Sequence, residues 1–158
     1  MRETPRTPAA DALTNLILTL FRVNNLTLTW GDRLVAPFGL TSARWQVLGA
    51  IVFAERSQPV AWLARDLGAN RQNVQRIVND LHKEGLIVFE PNSHHRRAQL
   101  VVLTEKGRQA YGSALAAYYP KVDALAEDLS ISDIHIAHRV MVALQKKLEG
   151  QEHAEKHA

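Results

Sequence analysis

The 158-residue chain is long enough to bury a real core, as one domain or one domain with an extended helical attachment, and short for two domains. It has no cysteine, which excludes disulfides and any thiol-based redox switch. A net charge of +3 and a pI of about 9.4 permit a polyanionic partner without demanding one, so the placement of the bases matters more than their number.

Residues 1–10 contain Pro5 and Pro8 and lack the apolar core of a secretory signal, so a flexible arm is expected there. No stretch approaches the roughly 18 uninterrupted apolar residues of a membrane span, so no membrane partner is expected and the default location is the cytoplasm. From Asp11 to Val35, the residues Leu13, Leu16, Ile17, Leu20, Asn24, Thr27, Leu28, Gly31, Leu34 and Val35 keep to one helical stripe. This predicts a long first helix over 11–36, assigned to dimerisation. Asn24 and Thr27 would then sit on its buried side, where they need partners or line a cavity.

Pro37 and Gly39 break the pattern, and Thr41 stands as N-cap of a helix from Ser42 to about Phe53 with Val47, Leu48 and Ile51 inward. Arg44 falls close to that inner face and Trp45 nearly opposite it, so something outside the helix must cover Trp45. A third helix follows Pro59 and runs through Trp62, Leu63 and Leu67 until Gly68 stops it.

From Arg71 to Glu84, Val74, Ile77, Val78 and Leu81 have the i, i+3, i+4, i+7 spacing of a buried helix face. Opposite them lie Gln72, Gln75, Arg76, Asn79 and Lys83, all polar and none acidic. Gln and Asn suit the N6/N7 edge of adenine and Arg the O6/N7 edge of guanine, so this face is equipped to read a major groove. Asn70 is the expected N-cap, with Arg71 in a first turn where a phosphate could meet the helix N-terminus. The Gly68-Ala69-Asn70 connection joins two short helices in the form of a helix-turn-helix.

Gly85 ends the reading helix, and Leu86–Glu90 and Ala98–Leu103 read as two strands around the turn residues 91–95. The hairpin carries Arg96 and Arg97 near its tip, where an adjacent narrow minor groove would attract them. Residues 37–103 thus form a winged helix-turn-helix, and the fold class is mostly α with a small β-wing. From Arg65 to Arg108 the bases are Arg65, Arg71, Arg76, Lys83, Arg96, Arg97, Lys106 and Arg108, with the outward-facing ones on the reading helix and hairpin.

Thr104 caps a further helix whose Tyr111, Leu115, Tyr118, Val122, Leu125 and Leu129 alternate at four and three residues, a coiled-coil-like seam that Pro120 should kink. Ser130 and Asp133 resemble a capping box, and the last helix presents Ile134, Ala137, Met141, Leu144 and Leu148 before a polar tail over 150–158. The first helix and residues 104–149 have no task inside a compact winged helix. They are apolar enough to form a dimerisation bundle between two copies, with two-fold symmetry setting the reading helices roughly 34 Å apart.

The sequence resembles the multiple antibiotic resistance regulator (MarR) family over nearly its whole length. The resemblance rests on residues 40–48 (LTSARWQVL), 71–76 (RQNVQR) and 81–87 (LHKEGLI), and most specifically on the wing, 92–98 (NSHHRRA), running into 103–107 (LTEKG). It implies a homodimer that binds a pseudo-palindromic operator on double-stranded DNA, usually as a repressor, and is often released by a small aromatic or amphipathic molecule. The reading face and wing together give Asn70, Arg71, Gln72, Asn73, Gln75, Arg76, Asn79, Lys83, Arg96 and Arg97 as DNA-contacting candidates. The wing departs from the family's Asp-Pro-x-Asp-Arg-Arg, because Asn92 and His95 stand where the two aspartates would be.

An effector would meet Asn24, Trp30, Arg44, Trp45 and Tyr111, where the first helix, the second and the seam converge. Arg44 could clamp a carboxylate there, or bury its stem while its head reaches water or an acidic partner. His94 and His95 raise pH-responsive binding, and with His153 and His157 raise metal response in the same fold. No Cys, Asp or Glu completes an evident ligand set, so neither metal nor cofactor is expected. A glycine-rich phosphate loop, a nucleophile elbow and a scaffolded carboxylate pair are all missing, so no enzyme is expected. A helical interaction protein that does not bind DNA would explain the long helices but not the Gln/Arg face.

Overall fold

The structure, a computed structural model, describes residues 6–93, 95 and 97–155, with side chains to 151. His94, Arg96 and His157, and the side chain of His153, lie outside the described residues. The elements in order are α1 (Pro8–Val35), a 3-10 turn (Ala36–Phe38), α2 (Ser42–Phe53), β1 (Gln58–Pro59), α3 (Val60–Asp66), α4 (Arg71–Lys83), β2 (Ile87–Glu90), β3 (Leu100–Leu103), α5 (Glu105–Ala126) and α6 (Ile131–Glu155). They divide into two compact units, Met1–Tyr118 and Tyr119–Ala158.

In the first unit, α1 begins at Pro8 rather than Asp11, because the Thr7 hydroxyl accepts the Ala10 N–H at 3.2 Å and proline suits the first helical position. Its end is fastened to the start of α2. The Ser42 N–H donates to Asp32 Oδ1 at 2.6 Å, and the Ser42 hydroxyl, beside Gly31, donates to the Leu28 carbonyl at 2.8 Å. The expected burial along α1 is corrected: Asn24 and Thr27 are exposed, as are Leu18, Phe21 and Leu26. Close burial is confined to the last turns, at Gly31 and Val35.

The core gathers Leu48 of α2, Leu63 of α3, Val74, Val78 and Leu81 of α4, Ile87 and Val101, each at most 1% exposed. Burial of each such side chain stabilises the fold by about 1.5–3 kcal/mol relative to exposure. The chain turns between α3 and α4, and again after α4, at Gly68 (φ 59°) and Gly85 (φ 74°), a backbone region costly for any residue with a Cβ. β2 and β3 pair antiparallel with Ile87 opposite Leu103 and Glu90 opposite Leu100. β1, which the sequence reading did not anticipate, adds Gln58 and Pro59 to the other edge of β3, giving the order β1-β3-β2.

The start of α5 closes the end of α4. Thr104 Oγ1 donates to the Gly85 carbonyl at 2.7 Å and accepts the Gly107 N–H at 3.0 Å, while Lys106 Nζ donates to the Glu84 carbonyl at 2.7 Å. Gly107 itself permits this approach, because a Cβ there would strike the Leu86 carbonyl oxygen.

In the second unit α5 continues through Pro120 to Ala126, so the proline expected to kink the helix lies inside it and does not end it. Ser130 Oγ lies 2.6 Å from Ser132 Oγ, so its hydroxyl is engaged there rather than in the expected capping box with Asp133. α6 reaches Glu155 and takes in the first residues of the expected polar tail. Its Ile131, Ile136 and Leu148 are 73%, 49% and 54% exposed. Among the described residues no helix is long and apolar enough to cross a membrane.

Candidate nucleic-acid interface

α4 is fixed in rotation by Val74, Val78 and Leu81, which pack inward against α2, α3 and β2. Its entry is fixed by Asn70, whose Oδ1 accepts the N–H groups of Gln72 at 2.8 Å and Asn73 at 3.4 Å. With the helix so held, Arg71, Gln72, Asn73, Arg76, Asn79 and Lys83 are exposed. Gln75 differs: it is half-buried, and its Nε2 donates to Asn79 Oδ1 at 3.0 Å.

The basic residues separate into two groups. Arg65 leans on the Trp62 ring at 5.6 Å and lies 3.5 Å from Asp66. Lys106 is spent on the Glu84 carbonyl, and Arg108 on Glu105 and the Leu103 carbonyl, both at 3.1 Å. Arg71, Arg76, Lys83 and Arg97, by contrast, make no ion pair among the described residues. Among the described bases from Arg65 to Arg108, the ones left without a protein partner therefore lie along α4 and on the wing.

In the wing loop, Asn92 Nδ2 donates to the Ala98 carbonyl at 2.9 Å and Asn92 Oδ1 accepts the His95 N–H at 3.3 Å. An aspartate could accept but not donate, so asparagine closes this loop in a way the family's acid does not. His95 and Arg97 are exposed.

Of the five residues expected around an effector, Trp30 and Trp45 are brought to one shared neighbour. Trp30 and Trp45 meet the Tyr118 ring edge-on, with centroids 5.9 and 5.2 Å apart. Tyr118 is thus the outside cover that Trp45 required, although Trp45 Nε1 is buried without a hydrogen-bond partner. Arg44 is committed to its own chain, 2.8 Å from Glu84 Oε1 and donating to the Gly39 carbonyl at 3.4 Å, which removes the carboxylate-clamp alternative in this arrangement. Asn24 is exposed on α1. Tyr111 is buried beside Gly49 and lines a cleft of about 560 Å³ with Ile51, Val52, Arg56, Leu103 and Arg108. Tyr118, one heptad beyond Tyr111 in the seam, was findable from that spacing. Arg56, in a short loop, had no such signal. Among the described residues no three His, Asp or Glu side chains could hold a metal ion.

A family model described as "MarR family" matches residues 38–98. The transcriptional activatory protein BadR of Rhodopseudomonas palustris is 33% identical over 147 residues, covering 86% of this chain and 82% of BadR. The Mycobacterium tuberculosis transcriptional regulator MosR, solved in complex with DNA, has the same fold with a TM-score of 0.70 at 21% identity, covering 85% of this chain and 96% of that one. CouR of Rhodococcus jostii, solved bound to p-coumaroyl-CoA, gives a TM-score of 0.73 at 20% identity, covering 82% and 90%. With a winged helix-turn-helix in the matched segment and a curated relative along most of its length, the chain belongs to the MarR family of transcription regulators, proteins that control transcription rather than catalyse a reaction.

Proposed function

We propose that this protein is a cytoplasmic homodimer that binds a pseudo-palindromic operator through α4 and the wing, and represses until a small aromatic or amphipathic ligand releases it. One observation carries the DNA-binding part: of the described bases from Arg65 to Arg108, those left without a protein partner are Arg71, Arg76 and Lys83 on α4 and Arg97 of the wing. Asn70, Arg71, Gln72, Asn73, Gln75, Arg76, Asn79 and Lys83 would meet base edges and phosphates, and Arg96 and Arg97 the flanking minor groove. Support for the dimer comes from the apolar side chains left open on α1, among them Leu18, Phe21 and Leu26, and separately on α6, since so many large apolar side chains open along one helix are uncommon on a monomer.

The Tyr111 cleft has apolar walls of Ile51, Val52 and Leu103 that suit an aromatic ligand, while its charged lining is mixed, with Glu55 beside Arg56 and Arg108. CouR's bound thioester supports ligand response within this fold. BadR's description as activatory favours a second reading in which the bound protein activates. Selection of genomic fragments by purified protein in moderate salt, followed by a reporter carrying the selected site, separates the two by the sign of the effect. Recovery of fragments no different from input would overturn both.

A further inference from the structure

Among the described residues, the Gln75–Asn79 bond is the one hydrogen bond between side chains on α4. Gln72, Asn73 and Arg76 extend from the same helix with no side-chain hydrogen bond of their own. Gln75 Nε2 carries two hydrogens, and the bond to Asn79 Oδ1 uses one. The second hydrogen and Oε1 remain, a donor beside an acceptor, which is the pair that adenine presents for at N7 and N6. We propose that Gln75 and Asn79 form one preassembled reading unit, in which Gln75 contacts an adenine and Asn79 is the positioning residue that fixes how the Gln75 amide faces it. This rests on α4 being the DNA-reading helix.

The physical gain is twofold. A free glutamine must be immobilised on binding, and its amide can turn to offer the opposite donor–acceptor order; held by Asn79 and half-buried, Gln75 has met much of that cost before DNA arrives. Discrimination at one base pair is therefore expected to depend on a residue that does not itself touch that base.

The test is a set of dissociation constants at fixed salt for the selected operator and its single-base-pair variants. The proteins are wild type, Gln75→Ala, Asn79→Ala, Asn79→Asp and the Gln75→Ala/Asn79→Ala double variant, with Arg76→Ala as reference. Wild type should prefer A·T at one position, and Gln75→Ala should erase that preference. Asn79→Ala should weaken it roughly two- to tenfold at the same position, the range set by freeing one side chain. The double variant should match Gln75→Ala alone. Asn79→Asp keeps an acceptor for Gln75 Nε2, so it should retain the preference while lowering affinity for every duplex through repulsion from phosphates. Thermal melts should be nearly unchanged throughout, because neither side chain is part of the core.

If Asn79→Ala instead relaxes a different base pair, or weakens all duplexes equally, Asn79 acts independently and the unit does not exist. If Arg76→Ala relaxes one base pair while the Gln75 and Asn79 variants leave discrimination unchanged, this inference falls and the proposed function stands. Wild-type protein that binds every duplex alike overturns both.

Discussion

α4 and α6 are both helices with apolar residues at regular spacing, and the structure treats them oppositely. Val74, Val78 and Leu81 of α4 are at most 1% exposed, whereas in the α6 stripe Ile134 and Leu148 are 41% and 54% exposed and Met141 and Leu144 are half-buried. Both stripes are visible in the sequence, that of α4 more sharply segregated than that of α6. Periodicity identifies which face of a helix avoids water; it does not say whose atoms cover that face. For α4 the cover comes from α2, α3 and β2 of the same chain. For α6 the described residues leave Ile134 and Leu148 of the stripe open, and the proposed second copy would cover them.

The sharpest test of this contrast removes one side chain from each helix. Leu81→Ala should cost about 2–5 kcal/mol, read as a lower denaturation midpoint at fixed protein concentration with the sedimentation mass unchanged. Ile134→Glu should act differently, halving the sedimentation mass while most helical signal remains. It should weaken operator binding on the order of a hundredfold, because two linked reading helices become one. A mass and an operator affinity both unchanged by Ile134→Glu would mean that the α6 stripe is ordinary solvated surface, and the contrast with α4 would disappear.

What the sequence reading recovered is local. Asn70, Gly68 and Gly85 bracket α4, and Gly85 and the turn residues bracket the wing, because caps and left-handed turns depend on neighbouring residues alone. What it missed depends on distant partners. β1 has two residues, too few to show a period, and exists because Gln58 pairs with Val101 far along the chain. Asn24 and Thr27 followed the stripe correctly in phase, yet the chain places nothing over them. Arg44 left two outcomes open in the sequence, and the partner it has in this structure, Glu84 at the end of α4, is too distant along the chain for local spacing to name. At the wing, the loss of the family's acids reads as a missing partner, whereas the geometry gives Asn92 a donor role no acid could fill.

The same division between committed and free groups applies to the cations, and it predicts unequal effects from equal charge changes. Arg76→Ala should cost about 1–3 kcal/mol of operator affinity and relax discrimination at one base pair, if it reads guanine. Lys83→Ala should weaken binding to all duplexes and reduce the slope of log affinity against log salt by about 1. Lys106→Ala removes the same charge from a group donating to the Glu84 carbonyl, so it should lower the melting temperature and leave that slope almost unchanged. Equal slopes for the Lys83 and Lys106 variants would show that net charge, not its placement, governs binding.

The smallest effect concerns Arg44, where α2 is tied to the end of α4. The Arg44 and Glu84 side chains are 22% and 45% exposed, so solvent screens their ion pair, and Glu84→Gln should cost less than about 1 kcal/mol. That loss should shrink further in high salt, since the exposed partner is the one most open to counter-ions. The informative measurement is the effector titration. An Arg44 that also clamps an anionic ligand must first leave Glu84, so Glu84→Gln would free it and tighten ligand binding. An Arg44 that serves to join the two helices has no such reserve: the titration stays where it was, and the guanidinium continues to hold the Gly39 carbonyl. The direction of that one curve decides whether the inner face of α2 belongs to the fold, as the stripe of α4 does, or to a ligand.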